Sequence, residues 1–239
     1  MSEKRSKLSS WWIPGVIVAL AIALVTFVVV YEFGDDTSAP SSAAADTAAG
    51  PNDSRYDMGL ERRDPHDPLA LGRVDAPVTL IVFTDYQCPF CAKWSRDTLP
   101  TLLTRVDSGD LRIEMRDVNV FGEASRRAAK ASYAAALQGR FIDYHQALFA
   151  DGKPRTGAGL STEALTDIAR RLGLDIPRFD EQMSSATTDA AIRQNEQVGA
   201  VAGAYSTPSF ILGGQPIAGA QPTAVFVGML DELTGPKGN

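Results

Sequence analysis

Cys88-Pro89-Phe90-Cys91 contains the only two cysteines in 239 residues. The pair lies where the apolar run Val78–Phe83 stops and a helix-like pattern begins. A C-x-x-C pair at such a strand-to-helix junction can close a disulfide and open it again. The junction also sets the first sulfur at a helix N-terminus, where unpaired N–H groups and the helix dipole favour a thiolate. The thiolate is the reactive form of cysteine, and this placement can lower its pKa from ~8.5 to roughly 3.5–7.5. Reversible dithiol chemistry is therefore the leading reading. A zinc site would need four ligands, and beyond the pair the chain offers only the distant His66 and His145. A purely structural disulfide stays open, although closing so short a loop removes little chain entropy. Two inert thiols in a strand fit less well, because Pro89 favours a turn or a first helical position.

The elements that must hold this pair can be read on either side of it. Val78–Phe83 is nearly continuous in apolar residues, as in a strand buried on both faces. Leu99, Leu102, Leu103 and Val106 fall on one helical face. Pro100 should kink that helix of about 20 residues rather than end it. Leu111–Arg116 alternates and predicts a second strand, so the three elements form a right-handed βαβ unit. Ser125–Phe149 reads as one long Ala-rich helical stretch. A further helix opens at Ser161 or Thr162 and stops at Gly173, and shorter ones are predicted over 177–183 and 188–202. Pro208–Leu212, the Gly213-Gly214 turn and Gln215–Ala218 predict a β-hairpin, and a last helix follows Pro222. The prolines 65, 68 and 77 make the entry irregular and extended. The order is β-α-β, a helical block, then β-β-α.

The N-terminus bears on the compartment. Ile13–Val30 carries no charge, Trp11, Trp12 and Tyr31 flank it, and Lys4, Arg5 and Lys7 precede it. A helix over residues 11–33 would be about 35 Å long, enough for a bilayer core of ~30 Å. The positive-inside rule puts the end before it in the cytoplasm and the rest outside. A cleaved signal peptide is the alternative, but its apolar core should be shorter and end in a small-x-small site. Gly34 to about Leu60, rich in Ala, Ser, Asp, Gly and Pro, reads as a flexible tether. The expected organisation is 1–10 cytoplasmic, 11–33 a single transmembrane anchor, 34–60 a linker and 61–239 the folded domain. A net charge of −6 and a pI near 5.0 argue against a nucleic-acid partner.

Several separated blocks resemble the DsbA-like thiol–disulfide oxidoreductases, an extracytoplasmic branch of the thioredoxin superfamily. They are 68–72 with 75–78, Phe83–Cys91, Arg116–Val118, Gly139–Phe149, Ser206–Phe210 and Gly219–Pro222. The resemblance implies an α/β thioredoxin-like fold with a helical insertion over about 120–205. It implies that Cys88 is the exposed nucleophile and Cys91 the more buried resolving thiol. It also makes Pro208 a cis proline facing the cysteines, with the Thr207 backbone pairing to an extended substrate. The best-known members carry histidine where this chain has Phe90. Phenylalanine cannot donate a hydrogen bond, so the Cys88 pKa is expected to fall less and the oxidising power to be milder.

Pro89 and Phe90 thus join Asp85 as residues that could tune the site, although an aspartate closing a strand can equally be a cap. Trp94 could form an apolar rim with Phe90 or belong to the core. His145 is expected to be a packing residue and His66 to be exposed. No metal or cofactor is expected. The implied activity is oxidation of exported, cysteine-containing proteins, with a reductase or isomerase role, as in cytochrome c maturation, the alternative. A tethered binding or chaperone-like module is the reading from another class. Without a third cysteine the chain has no internal relay, so a separate redox partner must restore the pair, and the resemblance implies a membrane protein for it.

Overall fold

The computed structural model describes residues 59–235. The stretches read as an anchor and most of the linker lie outside them. No helix among the described residues is long and apolar enough to cross a membrane. Strands β1 (Ala70–Leu71), β2 (Val78–Thr84), β3 (Leu111–Asp117), β4 (Ser209–Leu212) and β5 (Gln215–Ala218) form one sheet in the order β1-β3-β2-β4-β5. β2 and β3 are parallel, with Val78 opposite Leu111 and Thr84 opposite Asp117. β4 runs antiparallel to β2 and pairs with β5 through the Gly213-Gly214 turn. Both glycines of that turn have positive φ, which only glycine adopts freely.

The crossover from β2 to β3 is helical, but it is broken. Helix α1 (Pro89–Asp97) and helix α2 (Leu99–Asp107) are separated at Thr98. Pro100 was expected to bend one continuous helix; instead the chain restarts, because Pro100 has no N–H to give the carbonyl four residues back and its ring crowds that turn. The stretch 125–149 is likewise two helices, α3 (Glu123–Ala136) and α4 (Phe141–Leu148). Gly139, at φ 72°, reverses the chain between them. Three more helices complete the insertion: α5 (Thr162–Arg171), capped by Ser161, α6 (Ile176–Ser184) and α7 (Ala186–Val201). Helix α8 (Thr223–Thr234) follows the hairpin. The entry also contains β1, paired antiparallel with β3, where only irregular chain was expected.

Each face of the sheet is covered differently. On one, Val78, Leu80, Val82, Ile113 and Met115 pack against Trp94, Leu99, Phe226 and Leu230. Trp94 is buried, its ring 5.1 Å from that of Phe210, so it belongs to the core and not to a rim. On the other face Ile81, Phe83 and Ile211 accompany a buried charged cluster. Glu114 takes the guanidinium groups of Arg112 and Arg116 and also the N–H groups of Arg62 and Arg63. Arg116 reaches Asp67 as well. The insertion builds its own core from Ala128, Ala131, Tyr144, Leu165, Ile168 and Phe179, and this core continues to Tyr86 and Cys91.

Candidate active site

The cysteines stand where β2 ends and α1 begins. Cys88 is the N-cap of α1 and Pro89 is its first residue, where its missing N–H costs nothing. The free thiols of Cys88 and Cys91 face each other across that first turn. The sulfur of Cys88 is held at about pKa 6, chiefly by the hydrogen bond from the Cys91 thiol. The N–H groups of Cys91 and Phe90 add to the lowering, against burial, which opposes it. Burial and the neighbouring Cys88 push Cys91 far up. The two sulfurs are thus driven in opposite directions, one toward thiolate and one toward thiol. A helix terminus alone predicted the lowering; the larger part comes from the second cysteine.

Cys88 is only 1% exposed, contrary to the expected exposed nucleophile. The loop before β4 covers it. The Thr207–Pro208 peptide bond is cis, and the Cys88 thiol donates to the Thr207 carbonyl at 3.1 Å. Pro208 is buried beside it. The exposed member of the motif is instead Phe90, at 61%. Other large apolar side chains are open to solvent on neighbouring segments. Val120 and Phe121 follow β3, and Val201 and Tyr205 precede Thr207.

Asp85 is fully buried and makes no bond to either sulfur through its carboxylate. It accepts from the N–H of Gln87 at 2.8 Å, the N–H of Phe121 at 3.0 Å and the hydroxyl of Ser125. Its backbone carbonyl takes the N–H of Cys88. Asp85 is therefore a cap that fastens the cysteine turn to the loop after β3. Gln87 strengthens the tie by donating to Ser125 and to the Phe121 carbonyl.

Other participants went unnoticed in the sequence. Thr84 bonds the Cys91 sulfur with its hydroxyl. Tyr86 bonds Ser132 at 2.7 Å and His145 at 3.2 Å, and His145 bonds Ser95 of α1 at 2.9 Å. This buried chain locks the insertion to the active-site helix, and burial drives His145 down to about 4, so it is neutral. His145 is thus a packing residue with both nitrogens satisfied, and His66 is exposed. Their place at the end of a strand could have flagged Thr84 and Tyr86; nothing local marks Ser125.

Known proteins resemble this arrangement. Disulfide bond formation protein D of Bacillus subtilis is 38% identical over 82 residues, 33% of this chain and 37% of that protein. The Na(+)/H(+) antiporter NhaA 3 of Salinispora tropica is 29% identical over 157 residues, 64% of this chain. That match spans only 22% of the antiporter, so the chain corresponds to a minor part of these relatives. The crystal structure of oxidised BdbD from Bacillus subtilis superposes with a TM-score of 0.63 at 24% identity, covering 70% of this chain and 92% of that one. Residues 64–232 match the thioredoxin family. With a paired strand-to-helix dithiol under a cis-proline loop, and that match across most of its length, the chain belongs to the thioredoxin family.

Proposed function

We propose that this chain is a thiol–disulfide oxidoreductase that oxidises cysteine pairs in exported proteins. The observation that carries the reading is the opposed pair: Cys88 held at about pKa 6 and Cys91 far above the ordinary range. A low-pKa sulfur is a good leaving group and a ready nucleophile, and stabilising the reduced form makes the disulfide a stronger oxidant. In the oxidising direction a substrate thiolate attacks Cys88 of the 88–91 disulfide, forming a mixed disulfide and releasing Cys91 as thiolate. The second substrate thiolate then attacks the substrate sulfur of that bond. The substrate leaves oxidised, and the electron pair stays on the enzyme dithiol. A separate acceptor must remove those electrons, and a membrane-bound redox protein fits that need.

The name of the Bacillus subtilis relative, a disulfide bond formation protein, supports this direction. An extracytoplasmic setting is supported by the uncharged run 13–30 behind Lys4, Arg5 and Lys7, which would tether the domain outside the membrane. The exposed Phe90, Phe121 and Tyr205, on segments that adjoin Cys88, suit unfolded rather than folded substrates. Three experiments test the proposal. The reduction potential against glutathione, with the redox state of Cys88 in intact cells, decides direction. A pair mostly reduced in cells refutes the oxidase. Cys88→Ser should abolish exchange; a variant that keeps its ligands and its effect would point to a binding module instead. Protease protection of the domain in intact cells would overturn the extracytoplasmic placement.

A further inference from the structure

His145 of α4 is fully buried, and its imidazole stands between two hydroxyls of the segment that carries the cysteines. Nδ1 is 3.2 Å from the Tyr86 hydroxyl, and Nε2 is 2.9 Å from the Ser95 hydroxyl. Tyr86 lies just before Cys88 in the sequence, and Ser95 lies a helical turn after Cys91. The ring therefore bonds both sides of the dithiol at once. Among the described residues no other side chain of the insertion does so: Ser125 and Ser132 meet only the turn before Cys88.

Space filling does not call for an imidazole here. The rings of Tyr86, Phe141 and Phe149 surround it, with centroids 5.6, 5.9 and 5.1 Å away. Burying a polar ring among them is costly unless its nitrogens are bonded, and here both are. A neutral imidazole has one N–H and one lone pair, so the chain Ser132–Tyr86–His145–Ser95 can run in only two senses. In one, Ser95 donates to Nε2, Nδ1–H donates to Tyr86, and Tyr86 donates to Ser132. In the other every donor reverses. Either way each nitrogen keeps one partner, and the Tyr86 and Ser95 hydroxyls stay fixed relative to each other.

Helix α1 needs such a tie. It runs only from Pro89 to Asp97, shorter than a helix that holds its shape alone. Its N-cap is a cysteine, not one of the Ser, Thr, Asp or Asn residues that cap strongly. Asp85 fastens the turn before Cys88 to the loop after β3 and to α3, but on that side alone. The bridge through His145 ties that turn to the far half of the helix. Tyr86 and Cys91 share one apolar core with Tyr144 and Phe149, so the bridge belongs to the packing that encloses the resolving thiol.

We infer that His145 is a positioning residue for dithiol exchange: by joining Tyr86 to Ser95 it fixes the turn that carries Cys88 against the helix that carries Cys91. The inference rests on the dithiol-exchange reading given above. His145 makes its bonds to the two hydroxyls and none to either sulfur. When Cys91 attacks a mixed disulfide at Cys88, its sulfur must approach in line with the bond that breaks, and a small misplacement costs rate. Cutting either end of the bridge frees the same motion, so the two bonds act as one unit and not additively.

The test uses the reduced 239-residue chain and an aromatic disulfide reagent. One coloured thiolate is released when Cys88 reacts and a second when Cys91 resolves the adduct. The ratio of the second rate to the first reads the relative placement of the two sulfurs. Tyr86→Phe and Ser95→Ala each remove one end of the bridge and keep the shape of the site. Each should lower the ratio about tenfold, and the double variant should lower it no further. In a His145→Leu background neither substitution should add an effect. A ratio unaltered in either single variant, whatever happens to Tm, overturns the assignment, as do losses that multiply in the double variant. The single variants decide even if His145→Leu does not fold. A wild type with no second phase at all would instead overturn the dithiol reading itself.

Discussion

The Cys88 sulfur lies 3.1 Å from the carbonyl oxygen of Thr207, a residue 119 positions further along the chain. Only the protonated sulfur can donate to that carbonyl, whereas the Cys91 thiol and the helix N–H groups favour the thiolate. Ionisation of Cys88 therefore frees the Thr207 carbonyl for the N–H of an extended substrate strand. Activation of the nucleophile and opening of the backbone site become one event.

Because the Cys91 thiol is the largest cause of the lowered Cys88 pKa, Cys91→Ala should move it from about 6 toward the ordinary ~8.5. Thiolate absorbance gives the titration directly. The same shift couples stability to pH. The folded pKa lies below the unfolded one, so the reduced form gains stability that is complete above about pH 8.5 and lost as pH falls through about 6. The oxidised form has no thiolate. The Tm advantage of the reduced over the oxidised protein should shrink across that window.

Phe90 is exposed, so a polar ring there disturbs no packing. Phe90→His should add a donor beside Cys88, lower its pKa further and raise the reduction potential. A tenfold change in the exchange equilibrium with glutathione corresponds to about 30 mV for this two-electron couple. A potential unchanged within a few millivolts would show that position 90 does not reach the sulfur.

Asp85 satisfies three donors, from its own turn, the loop after β3 and helix α3. Asp85→Asn turns an amide toward some of them and should cost roughly 3 kcal/mol, with Ser125→Ala costing about 1 kcal/mol. Denaturant midpoints at constant slope measure both. The Asn variant should also slow exchange, since the cysteine turn and the loop after β3 lose their common fastening.

Phe90, Phe121 and Tyr205 are exposed, and each lies on a segment that adjoins Cys88: the cysteine turn, the loop tied to it through Asp85, and the loop that carries Thr207. Changing Phe121 and Tyr205 together to Ser should lower kcat/KM for an unfolded, cysteine-containing protein about tenfold while leaving a small disulfide reagent unaffected. Equal losses for both substrates would place the effect in the chemistry and not in binding.

Much of this frame was legible before any coordinates. Val78–Phe83 and the Gly213-Gly214 hairpin follow from local pattern, and Cys88, Cys91 and Thr207-Pro208 from motif resemblance. The helix breaks were less legible, because Leu137-Gln138-Gly139-Arg140 carries no proline and only a positive φ at Gly139 turns the chain. The alternation in Leu111–Arg116 marks a strand but not its surroundings. Arg112, Glu114 and Arg116 are buried because Arg62, Arg63 and Asp67 arrive from about 50 residues earlier to satisfy them. Exposure of Cys88 was misjudged because its cover comes from the far side of the insertion.

That cover has a consequence for how the molecule is made. The Thr207 loop is fixed by β4, and β4 can dock on β2 only after the whole helical insertion has been synthesised. Pairing across so long a span carries a large loop-closure cost and comes late in folding. A chain emerging N-terminus first exposes Cys88 and Cys91 well before Thr207 exists to shield them. During that interval the cysteines meet other thiols without a substrate groove. Maturation of the sheet is what turns a bare reactive pair into a guarded one.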